Sequence, residues 1–179
     1  MQIVRSILGF VGGVVVAVAL IMVFETGNFV VYKPAEAPGF DDFGKLNEWM
    51  SEFQNDPDRV CEWVKTLPLA AMIVVQAGWS VAAFVGGWVS ARIAGWAYLL
   101  HAGLIGAFVL IGTIVNLHMM KTHGYTHPDW MIVLALLMPL PLSLLGGKLV
   151  AISNPPPAEP PSTAAEGAIK AGEPPVRPT

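Results

Sequence analysis

The chain has 179 residues, 54% of them apolar and only 13% charged, with a formal net charge of −3. A soluble domain carries about 25% charged residues, so this composition excludes an ordinary water-soluble fold, and the weak charge argues against a nucleic-acid partner. The single cysteine, Cys61, cannot form an internal disulfide and gives no metal-binding spacing, so an inert, packed thiol is expected of it.

Four long stretches, 7–24, 66–91, 93–120 and 130–147, hold almost no charge. Each reaches about 18 residues or more, the length that crosses a hydrocarbon core of roughly 30 Å as a helix. In lipid the backbone must satisfy its own hydrogen bonds, so these stretches predict α-helices. The expected fold is all-α: a four-helix transmembrane bundle with spans at about 3–24, 68–91, 95–119 and 129–151. Residues 1–152 make one membrane domain, with a helical extramembrane loop over 25–67, and 153–179 form a proline-rich, disordered tail.

The first span follows Arg5 and is too long for the apolar core of a secretory signal, usually 7–15 residues. Its exit, Phe24-Glu25-Thr26-Gly27, lacks a small-residue cleavage site, so an uncleaved anchor is expected. The loop that follows holds nine of the 13 acidic residues. Lys33-Pro34-Ala35-Glu36-Ala37-Pro38-Gly39 should be extended or irregular. Asp41 is placed to cap a short helix with Phe43, Leu46, Met50 and Phe53 at helical spacing. Asp56-Pro57 starts a second, in which Val60, Trp63, Val64 and Leu67 form the apolar stripe. Such helices lie on the membrane surface or cap the bundle, as a binding surface or a plain lid.

Spans two and three are joined by a turn whose only charge is Arg92, between the interfacial Trp88 and Trp96. That makes them an antiparallel hairpin. A second short link, 121–129, leads to span four, which Pro139 and Pro141 should kink. After Asn154 the chain turns to Pro155-Pro156-Pro157-Ala158-Glu159-Pro160-Pro161 and has no apolar pattern to bury. Raw cation counts oppose a cytoplasmic amino terminus, but Arg5 against Glu25 across span one favours it, and both termini are expected inside.

Small residues recur at intervals of four or its multiples: Gly9, Gly13 and Ala17; Gly78, Ala82, Gly86 and Ser90, with Ala83, Gly87 and Ala91 beside them; Gly95, Gly103 and Ala107. Such faces let helices approach closely, within one chain or between copies or partners. Four intramembrane polar residues are the candidate site: Gln76, Ser80, His101 and Asn116. Gln76 and Ser80 share a face, and Gln76 and Asn116 lie at similar depth, so they either hydrogen-bond across the hairpin or line a hydrated path. His101 is the one titratable group deep in a span, but no carboxylate accompanies it there, which weighs against a proton or cation carrier. His118, His123 and His127, with Met119 and Met120, match no established metal spacing and suit a polar interfacial turn; no cofactor is expected. Nothing supports catalysis.

The segment Gly86-Gly87-Trp88-Val89-Ser90-Ala91-Arg92-Ile93-Ala94-Gly95, followed by Leu100-His101-Ala102, resembles small four-span bacterial membrane proteins to which no activity is attached. In them a double glycine, an aromatic and an alanine–arginine turn join two helices. The likeness is best over the hairpin, looser over all four spans and absent from the tail, and Ser90 stands where alanine is expected. It implies a bacterial inner-membrane location. The leading expectation is a non-enzymatic accessory or packing component of a membrane assembly; the alternative is a small transporter or channel subunit. The lipid bilayer is the one partner the composition requires.

Overall fold

A computed structural model describes residues 2–154, and these are helical almost throughout. Seven helices follow in order: α1 (Gln2–Tyr32), α2 (Phe43–Gln54), α3 (Pro57–Thr66), α4 (Leu69–Ala94), α5 (Tyr98–Thr122), α6 (Asp129–Leu137) and α7 (Pro139–Ser153). Four helical segments are long and apolar enough to cross a membrane: α1, α4, α5 and the α6–α7 pair. The chain is therefore read as a multi-pass membrane protein. The tail expected from residue 153 lies outside the described residues beyond Asn154, and Ser153 itself closes α7.

The first helix does not stop at residue 24. It runs on to Tyr32, because nothing between Glu25 and Val31 breaks a helix and only Pro34 forbids its continuation. At 31 residues it is about 46 Å long, beyond the hydrocarbon thickness, and with Phe24 against Gly78 its last turns run alongside the first turns of α4. The indole nitrogen of Trp63 donates to the Tyr32 carbonyl at 2.8 Å, satisfying one of the acceptors orphaned where α1 ends.

The loop folds as two capped helices. Asp42, not Asp41, caps α2 by accepting from the Lys45 amide at 3.1 Å, while Asp56 caps α3 through the Arg59 amide at 3.1 Å. Both aspartates offer the same chemistry, and the helix starts one residue later than the spacing implied. Leu46, Phe53, Cys61 and Val64 are buried, so these helices cap one end of the bundle. An aromatic cluster ties them to α1: Phe29 meets Trp49 at 6.1 Å and Trp63 at 5.8 Å, and Phe53 stacks on Trp49 at 4.8 Å. Arg59 lies over the Trp49 ring at 5.3 Å, and Asp58 reaches His123 at the end of α5 at 2.9 Å.

Within the bundle α4 is central and packs against α1, α5 and α7. The α1 and α4 stripes face each other in the same chain. A methyl on Gly13 would meet the Gly86 carbonyl at 2.8 Å, and one on Gly86 would meet the Ala17 methyl at 2.9 Å. On α5 the close approach uses Ala102 and Gly106, one position before the expected Gly103 and Ala107. A methyl on Gly106 would touch the α7 backbone at Leu140 at 3.0 Å, whereas Gly103 has ordinary space. The α7 glycines complete the fit: a methyl on Gly147 would reach Ala102 at 2.5 Å.

The α4–α5 turn is made by Gly95 at φ 72° and Ala97 at φ 43°, both left-handed. Trp96 Nε1 donates to Ser6 Oγ at 3.1 Å and Arg92 donates to Asn154 at 3.1 Å. Gln2, the α4–α5 turn and Asn154 thus share one end of the bundle, opposite the α2–α3 lobe. The kink in span four falls at Met138: Pro139 and Pro141 supply no N–H, while Leu142 still bonds to the Met138 carbonyl at 3.1 Å.

Candidate functional site

Where the lobe covers the bundle, the helices leave a cavity of about 540 Å³ walled by residues of α1 to α6 and of the α5–α6 loop. Its position follows from the chain. The last turns of α1 carry Glu25, Asn28 and Phe29 alongside the first turns of α4, where Glu25 meets Trp79, α2 and α3 supply Phe53 and Trp63, and α4 supplies Met72, Val75 and Trp79. The floor adds Asn116 and Met120 from α5 and Met131 from α6, and His127 enters from the loop between them. Most of this wall is apolar or aromatic, with a few polar groups, the pattern of a small-molecule pocket.

Those polar groups differ in how they are satisfied. Glu25 accepts a hydrogen bond from Trp79 Nε1 at 3.2 Å. The side-chain oxygen of Asn28 and both ring nitrogens of His127 are buried without a protein partner. Asn28 is 4% exposed and His127 is 8% exposed. Burial holds the His127 imidazole below its ordinary titration range, so it is neutral at pH 7 with one donor and one acceptor nitrogen. Beside it the Tyr125 ring stands edge-on at 4.8 Å, its hydroxyl also buried and unpartnered, and burial raises its pKa first, the Cys61 thiol second. The Cys61 thiol lies 3.6 Å from Met120 sulfur and is raised mainly by burial. Such a thiol is packed and inert. Unpaired buried groups each carry a desolvation cost of about 1–3 kcal/mol.

No protein-family description, no curated protein and no solved structure matches this chain.

The residues singled out by sequence do not assemble into one site. Asn116 lines the cavity. Gln76 is buried close by on α4, but its side-chain oxygen has no partner, so that oxygen makes no bond to Asn116 across the hairpin. Ser80 donates back to the Gln76 carbonyl at 2.9 Å, within its own helix. His101 lies about 22 Å from Asn116 along α5. Its ring contacts the Ala97 carbonyl at 3.1 Å and the Trp96 ring at 5.4 Å, a structural plug under the α4–α5 turn. The outer histidines also separate: His118 is exposed, His123 pairs with Asp58, and His127 enters the cavity. Among the described residues no group of three histidine, cysteine or acidic side chains converges to hold a metal.

Sequence reasoning missed Glu25 and Asn28 as site residues, having closed the first span at residue 24. A signal for them exists: Glu25, Asn28 and Phe29 fall at i, i+3 and i+4, one helical face with no breaker before Pro34.

Proposed function

We propose that this chain is a non-enzymatic, multi-pass protein of the bacterial inner membrane that holds a small, largely apolar molecule as an accessory component of a membrane assembly. The observation that carries the reading is the 540 Å³ cavity, whose wall is mostly apolar and aromatic with a few polar residues. Both described ends of the chain lie on the face that carries Arg5, Arg92 and Lys148, and that face is assigned to the cytoplasm. The inner-membrane assignment is supported by the hairpin's resemblance to bacterial four-span proteins. Transport has less support, because His101 is distant from Asn116 and bound to its own helix.

Native mass spectrometry of protein released from its own membrane tests the binding. The expected spectrum shows a retained small molecule that is lost in Met72→Trp, whose added ring fills the cavity. Identical spectra for both proteins would overturn it. Crosslinking in the same membrane should capture a larger protein partner; capture of only the chain itself would end the accessory role. Cysteines placed at Gln76 and Asn116 should resist water-soluble reagents, and free reaction at both would restore transport.

A further inference from the structure

We infer that the molecule held in this cavity is a bulky organic monocation, of the quaternary ammonium or arylphosphonium class, whose charge pairs with Glu25. The inference rests on the binding reading above and adds the charge and chemistry of the occupant.

The sign of the charge follows from the wall. Glu25 is the one acidic side chain among the residues that line the cavity, and no lysine or arginine lines it. Its carboxylate takes a hydrogen bond from Trp79 Nε1 at 3.2 Å, and no salt bridge reaches it among the described residues. Unlike Asn28 and His127, whose unpartnered atoms are sealed, Glu25 keeps open surface. The guanidinium of Arg59 in the covering lobe is engaged elsewhere, with Glu36 at 3.5 Å and over the Trp49 and Phe53 rings at 5.3 and 5.7 Å. His127, held neutral by burial, supplies no counter-charge. A carboxylate facing an apolar space without a counter-charge is costly. A bound cation offsets that cost, an anion adds to it, and a neutral occupant leaves it standing.

The kind of cation follows from the rest of the wall. A hard metal ion takes about six to eight oxygen ligands. Here the other polar lining residues come from separate helices, Thr26 on α1, Gln54 on α2 and Asn116 on α5. An organic cation carries its own apolar cover and sheds water easily, because its charge is spread and shielded. Phe29, Trp63 and Trp79 bring three aromatic side chains to the same wall, the surroundings in which quaternary ammonium groups are bound. Met22, Met50, Met72, Met120 and Met131 line much of the remainder. Their unbranched thioethers adapt to more than one outline, so the wall selects by charge and bulk instead of by a single shape. A volume of about 540 Å³ falls among pockets for organic molecules, roughly 300–1,000 Å³.

Equilibrium dialysis of radiolabelled tetraphenylphosphonium against the full chain in dodecyl maltoside micelles tests the pairing. Saturable binding is expected, and Met72→Trp should abolish it. Unlabelled methyltriphenylphosphonium should compete, while neutral triphenylphosphine oxide and anionic triphenylacetate, which share its three rings, should not. Glu25→Gln keeps the length of the side chain and an acceptor for Trp79, so the fold is retained. It should weaken binding by about tenfold or more, the loss of one charge pair in an apolar wall. Glu25→Asp keeps the charge and should bind more tightly than Glu25→Gln. Undiminished binding to Glu25→Gln, or equal competition by the neutral or anionic analogue, would overturn the charge pairing while the cavity reading stands. So would saturable, Met72-sensitive binding of radiolabelled triphenylphosphine oxide where the cation does not bind. Saturable binding of neither labelled probe would remove the cavity reading as well.

Discussion

Single residues decide two things here: how close the helices come and how the cavity answers pH. Gly86 stands where the Gly13 carbonyl and the Ala17 methyl leave under 3 Å for an added carbon. Gly86→Ala should therefore destabilise the bundle by about 1–3 kcal/mol in a mixed-micelle denaturation titration. Gly112 has open space around it, so Gly112→Ala should be neutral or stabilising by up to about 1 kcal/mol. Equal losses at both positions would refute the close α1–α4 seam. His127 sets the pH response. Its folded-state pKa is depressed by burial, so below the unfolded value of about 6.5 the unfolded chain takes up a proton that the folded chain refuses. Stability should fall as pH drops from 7 to 5, and His127→Phe should flatten that part of the curve in thermal melts followed by tryptophan fluorescence.

At the scale of elements, the length of the apolar runs made the spans legible, and Asp56-Pro57 made the start of α3 legible, because both signals are local. Asp56→Ala should cost about 1 kcal/mol and speed hydrogen exchange over Pro57–Thr66, with α4 unchanged. Unaltered exchange would mean that packing of Cys61 and Val64 alone holds α3 in place. The far end of α1 was less legible. The uncharged run stops at Phe24 while the helix does not, and the turns carrying Glu25 and Asn28 are stabilised by Phe29 packing against Trp49 and Trp63, contacts no local pattern declares. Nor could spacing say which small residues of α5 face α7, since Ala102 with Gly106 and Gly103 with Ala107 repeat equally well. The choice is made by the partner, whose Gly147 sits opposite Ala102 and whose Leu140 and Ser143 sit opposite Gly106, while Gly146 faces the backbone of α4. The site suffered most, because a cavity is assembled from many elements and each contributes only one or two residues.

For the whole molecule, the bonds from Trp96 to Ser6 and from Arg92 to Asn154 gather the beginning of α1, the hairpin turn and the end of α7 at one face. With Cys61 replaced by alanine, Gln2→Cys and Lys121→Cys should react with an impermeant maleimide from opposite sides of the membrane. Reaction from one side alone would dismiss the four-span topology. The seam between α1 and α4 also imposes a schedule on biogenesis. Roughly 60 residues separate the end of α1 from the end of its partner, and ribosomes add about 5–20 residues per second. The first helix therefore waits several seconds in the bilayer with its glycine face bare, because the helix that covers it has not yet been made. During that interval the nascent protein is open to wrong pairing and to membrane proteases, and an insertase that shelters α1 would raise the yield of finished protein.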